Sequence, residues 1–205
     1  MSILNDVLRK FVNYSNRRRL KNENFSLIAS DCTGGCILSD LGLRFNSPFV
    51  NLWMYPQDFI KYCSDIPHYL EQSLEFHEND EKLIDGKYPV GDLDGLKIFF
   101  QHYSSKSEAK IFWEKRSKRI SLNNLFVMAN DRSYTNDDFK EFDALPIRNK
   151  IVFTHLPLEN IKSSFYIPGF ENERCVSLLM RFRNQYSGHK LYDYFDYVSF
   201  FNRNV

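Results

Sequence analysis

The sequence predicts an α/β domain in which a mostly parallel sheet is covered by helices on both faces. Three observations predict it. Compact apolar runs such as Leu125-Phe126-Val127-Met128-Ala129 have strand length and end in polar residues. They alternate with stretches of helical spacing that carry N-terminal capping signals, the order expected of a parallel sheet. The chain has 205 residues, of which 43% are apolar, enough for one core and short enough for a single domain over 1–205. This is a three-layer, Rossmann-like arrangement.

Each element is read from its own pattern. Ile3, Leu4, Val7, Leu8, Phe11 and Val12 recur at helical spacing and predict an amphipathic helix that ends near Arg17-Arg18-Arg19. The basic cluster suits a helix C-terminus or a contact to lipid phosphate or an acidic glycan donor. A strand at 25–30 stops at Asp31-Cys32-Thr33-Gly34-Gly35, whose paired glycines mark a tight turn or a close approach of backbones. Further strands are predicted at 48–53, 74–77 and 96–103, with helices over 56–70, where Pro56 suits a first turn. Ser105 and Glu108 form a capping-box signature before a helix through Ala109, Phe112 and Trp113 to a basic run. Residues 125–129 and 150–155 read as strands, and Thr135 with Asp138 caps the helix between them. A short segment at 163–167 and two aromatic helical stretches, 176–182 and 191–201, complete the chain. Asp92 and Asp94, in a Gly-rich stretch, read as a turn.

Composition narrows the function. A net charge of +1 gives no global field to steer the protein onto nucleic acid or an anionic membrane. Four cysteines, at 32, 36, 63 and 175, lack the spacing of a disulfide framework or a zinc site, so no structural metal is expected. No cofactor is expected either. The start lacks the apolar stretch of a signal peptide, and no run reaches the roughly 18 apolar residues of a membrane span. A cytoplasmic location is the expectation.

In open α/β sheets ligands bind beyond the carboxyl ends of the strands. The residues found there are Ser30, Asp31, Cys32, Gly34 and Gly35, then His102-Tyr103, Asn130-Asp131-Arg132, and His155. Cys32 at a strand-to-helix turn is placed to be a nucleophile, with His102 as its base and Asp131 orienting that base. The competing reading makes Cys32 a small buried residue and His102 a sheet-edge hydrogen-bonding group. Gly34 and Gly35 can bring backbone N–H groups to a diphosphate, as in a nucleotide-sugar. Arg132 pairs with a phosphate or carboxylate, or with a neighbouring aspartate. Arg116 and Arg119 share one side of their helix, where they meet an anionic substrate or a partner protein, or simply water.

Several segments carry a family resemblance. They are residues 24–35, Asn46-Ser47-Pro48-Phe49-Val50, Tyr88-Pro89-Val90-Gly91, the strand ending His102-Tyr103, and the helix with Trp113, Arg116 and Arg119. Asn124-Leu125-Phe126-Val127, Asp131-Arg132, Leu145-Pro146 and residues 149–154 continue it. In this order, over about residues 22–170, the chain resembles the bacterial family DUF1919. It departs at Thr33, where the family usually has an aromatic residue. Members often occur among exopolysaccharide and capsule biosynthesis proteins. The resemblance therefore implies a transferase or modifying enzyme acting on a nucleotide-sugar or lipid-linked glycan precursor. The alternative is a non-catalytic module that binds such a precursor or another polysaccharide-assembly protein.

Overall fold

The computed structural model describes residues 3–78 and 87–204. In chain order the elements are α1 (Ile3–Arg19), β1 (Ser26–Ala29), α2 (Cys32–Leu41), α3 (Pro56–Ser64) and α4 (Ile66–Glu71). Then follow β2 (Val90–Leu93), β3 (Leu96–Phe99), α5 (Lys106–Ser117), β4 (Leu125–Asn130), α6 (Asn136–Ala144), β5 (Lys150–Thr154), β6 (Ser164–Tyr166) and α7 (Tyr197–Phe201). The fold is mixed α/β. Four strands in the order β1-β4-β5-β6 form a fully parallel sheet, and β2 and β3 make a separate antiparallel hairpin.

Strand periodicity sorts the core. Leu27, Ala29, Phe126, Met128, Ile151 and Phe153 join one hydrophobic cluster with residues of α2 and α7. The alternate residues Ile28, Val127, Ala129 and Val152 join another, with Phe49, Phe59, Trp113 and Phe142. Both sides of the sheet are thus buried, which is why these strands read as unbroken apolar runs. Phe126 is fully enclosed and meets Phe25, Phe200 and Phe201 edge-on. Truncation of such a ring costs about 3–5 kcal/mol.

Local signals behave as the sequence implies at several ends. Pro56 opens α3, and Ser105 Oγ accepts from Glu108 N at the start of α5. Thr135 and Asp138 form a reciprocal capping box on α6.

Elsewhere the structure corrects the expectation. Residues 48–53 are irregular, because Asn51 sits at φ 61, in the left-handed region that a strand cannot contain. Only Trp53 pairs, with Phe99, and of 74–77 only Glu75 pairs, with Asp92. The segment 96–103 does not join the parallel sheet. Asp94 and Gly95, both at positive φ, make a two-residue turn of the type I′ kind and fold β3 back on β2. Residues 176–182 are not helical, since Val176 N donates to Asp131 and Leu179 O accepts from Tyr192 N. The stretch 191–201 divides into a 3-10 turn and the short α7.

Two corrections concern how helices sit. Gly34 and Gly35 lie inside the first turn of α2, not in a tight turn before it. A Cβ at Gly34 would stand 2.5 Å from Ala29 Cβ, so the glycine is required for α2 to lie against β1. The helix α1 forms where expected but faces the other way. Asn5 and Arg9 are its buried residues, while Ile3, Leu4, Val7, Phe11 and Tyr14 are exposed.

Candidate functional site

The carboxyl ends of β1, β4 and β5 come together because the register aligns Ala29 with Met128 and Asn130 with Phe153. Ser30 N extends the ladder to Met128 O, and Asp131 N extends it to Phe153 O. Beyond these ends lies a cavity of about 300 Å³. Ser30, Asp31 and Cys32 line it from β1, and Asn130, Arg132, Ser133 and Tyr134 from β4. Trp53, Met54 and Tyr55, just before α3, and Pro56, its first residue, form another wall with Gln101 and His102 beyond β3. Ser177, Leu178 and Met180 close it from the C-terminal segment.

Asp31 is the N-cap of α2 and accepts from Thr33 N at 2.9 Å. The Asn130 side-chain amide donates to its other oxygen. Burial pushes its carboxyl above the ordinary range, against the opposing pull of the Thr33 and Asn130 hydrogen bonds and the Arg132 charge. Such a group can hold or release a proton nearer neutrality than a surface aspartate. Cys32, next in the chain, is pushed up to about 12 by burial, then by the charges of Asp31 and Cys36. Its thiol therefore stays protonated at neutral pH.

Asp131 has a different role from the one its position suggested. Its carboxylate accepts from His155 N at 2.7 Å, His155 Nδ1 at 2.5 Å and Val176 N at 2.8 Å. It thus ties β5 and the C-terminal segment to the end of β4 and does not line the cavity. The expected pairing of His102 with Asp131 is replaced by His155 with Asp131. Positioning of Ser177 and Leu178, directly after Val176, follows from this clamp.

Of the residues singled out from the sequence, Ser30, Asp31, Cys32, His102 and Arg132 share the cavity wall. Gly34 and Gly35 lie outside it, in the helix turn below, and one of the N–H groups there is already taken by Asp31. Tyr103 is buried, donates to Val50 O at 2.9 Å and accepts from Arg116 at 2.7 Å. Arg116 also lies over the Phe45 and Phe112 rings. Both residues brace the core behind the site and do not line it.

The aromatic wall is what sequence reasoning missed. Trp53 stacks on Phe99 with ring centroids 3.9 Å apart and donates to Tyr88 OH. Tyr55 meets both rings edge-on. Ser133 sits at φ 63, a left-handed conformation that costs a β-carbon residue about 1–3 kcal/mol and tends to gather at binding sites. No local pattern flags a serine for that conformation. Among the described residues no three His, Cys, Asp or Glu side chains gather as a metal-ligand cluster.

A match to a family model now meets this geometry. The model described as a domain of unknown function, DUF1919, covers residues 3–202. The chain belongs to the DUF1919 family. An uncharacterized protein of Haemophilus influenzae is 44% identical to it over 202 residues, spanning 98% of this chain and 95% of that relative. The DUF1919 match takes in all the cavity residues. No described helix is long and apolar enough to cross a membrane.

Proposed function

We propose that this DUF1919 protein acts in exopolysaccharide or capsular polysaccharide biosynthesis, as a transferase or modifying enzyme on a nucleotide-sugar or lipid-linked glycan precursor. The observation that carries the reading is the composition of one cavity. Asp31, held toward its protonated form, shares it with the Arg132 cation, His102 and an aromatic wall. Flat rings such as Trp53 and Tyr55 suit the apolar faces of sugars. Arg132 suits a phosphate or carboxylate on the same ligand. Asp31 and His102 then serve as acid and base toward a sugar hydroxyl or leaving group, and Ser30 and Asn130 orient the substrate. The fold that accompanies this reading is a three-layer, Rossmann-like single domain with its ligand at the strand ends. Other polysaccharide-assembly proteins are its proposed neighbours in the cell, in the cytoplasm.

A second reading is a non-catalytic module that binds the same precursor. The protonated Cys32 thiol favours it, since the cavity then lacks the nucleophile the sequence suggested. One experiment separates the two. Purified protein is screened by thermal shift against nucleotide-sugars, nucleotides and acyl-CoA donors, and every binder is followed for turnover. Ligand at a hundred times its dissociation constant adds about 2.7 kcal/mol to folding. A donor-specific rise with product formation lost in His102→Ala supports the enzyme. A rise without turnover supports the binding module, and no rise with any donor removes both readings of the cavity.

A further inference from the structure

The amphipathic helix α1 is turned inside out. Its polar face is the buried one. Arg9 reaches Asp193 at 2.5 Å and Asp40 at 2.8 Å, Asn5 donates to Asn184 O at 2.7 Å, and Asn13 donates to Asp40 at 3.0 Å. These anchors leave the apolar side chains facing away from the protein. Ile3 is 82% exposed, Phe11 67% and Tyr14 63%, with Leu4 and Val7 also open. At 3.6 residues per turn these five fall within an arc of about 100°.

The same stripe is bordered by positive charge. Arg18 continues its line and lies over the Tyr14 ring at 5.8 Å. Lys10 flanks one edge, where Arg17 beside it donates to Asp40 O at 2.9 Å, and Arg19 on the other edge is paired with Asp196 at 2.6 Å. Long basic side chains beside an apolar stripe can lay their stems along it while their heads reach upward.

We propose that α1 is an interfacial helix that docks this protein on an anionic lipid bilayer. The apolar stripe enters the headgroup–acyl boundary, and Lys10 and Arg18 meet lipid phosphate. Charge complementarity selects this occupant over a second copy of the chain. Five side chains on one helix also fall short of the roughly 20–30 residues a side found in stable protein interfaces. Moderate apolar area plus a few basic residues is what reversible attachment to a membrane surface requires. Attachment through α1 does not require the cavity to bind anything.

The test is co-sedimentation of the full chain with vesicles of phosphatidylcholine containing 30% phosphatidylglycerol, against pure phosphatidylcholine, at low and high salt. Binding to the anionic vesicles is expected to fall about tenfold in Phe11→Asp and in Lys10→Glu/Arg18→Glu, and to weaken with salt. Because these side chains are exposed, the variants keep the wild-type melting temperature. Tyr14→Trp adds a second readout, a blue shift of the new indole on anionic vesicles only. Wild-type protein that stays in the supernatant at low salt overturns the proposal. So does binding that survives Phe11→Asp, or a concentration-dependent dimer that Phe11→Asp dissolves.

Discussion

Two groups of charges in this protein are built from the same residue types and arranged to opposite ends. At the base of α1, Arg9 is almost fully buried among Asp40, Asp193 and Tyr192, and Lys190 adds a further contact to Asp40 at 2.9 Å. Each charge there has its partner. Burial alone would raise Asp40, but hydrogen bonds from Tyr192 and Lys190 and the charges of Arg9 and Lys190 outweigh it and hold the carboxyl below its ordinary range. In the cavity, Asp31 receives hydrogen bonds from Thr33 and Asn130, yet burial still wins and the carboxyl is raised. Arg132 stays exposed at the opening. The first group holds distant parts of the chain together. The second keeps unspent electrostatic capacity, which is what a ligand site needs.

The largest effect expected from breaking the comparison is at Arg9. Arg9→Ala leaves Asp40 and Asp193 without their shared cation and should cost about 3–5 kcal/mol in urea unfolding. Ligand binding in the cavity should persist while the protein remains folded. Gly34→Ala should cost about 1–3 kcal/mol, because the new methyl meets Ala29 Cβ. It should also weaken cavity binding, since α2 carries Asp31 and Cys32. Arg132→Ala should change stability by no more than about 0.5 kcal/mol while abolishing any donor-induced rise in melting temperature. A variant that loses both stability and binding at Arg132 would erase the distinction between the two regions.

The outcome of this comparison was only half legible in the sequence. The strands β1, β4 and β5 declare themselves as apolar runs, and capping residues mark α5 and α6. Strand ends then led to Ser30, Asp31, Cys32 and Arg132, which share the cavity, whereas His102 reaches it from beyond the β2–β3 hairpin and not from the parallel sheet. Helical periodicity, however, says which residues of α1 share a side and not which side turns inward. That choice was made by Asp40 and Asp193, which lie 31 and 184 residues away from Arg9. The partner of Asp131 is likewise set by register between β4 and β5, which brings in His155 and leaves His102 on another wall. Trp53 and Tyr55 were hidden for a related reason: they sit on irregular chain after a residue at positive φ, where no periodicity exists to read.

The two carboxyls should also separate in acid. Asp40 is lowered on folding, so its contribution is present above the unfolded value of about 3.9 and is lost as pH falls through the lower folded value. Asp31 is raised on folding, so the protein keeps its full share below about pH 3.9 and loses it as pH rises through the higher folded value. Unfolding of the wild type and Asp31→Asn in urea at pH 4 and pH 7 tests this most directly, because asparagine retains the helix cap. The variant should gain on the wild type between pH 4 and pH 7, as expected of a carboxyl kept for chemistry at a cost in stability. A difference between the two proteins that stays constant with pH, or moves against the variant, would contradict the assignment of Asp31 as a carboxyl raised by its burial in the site.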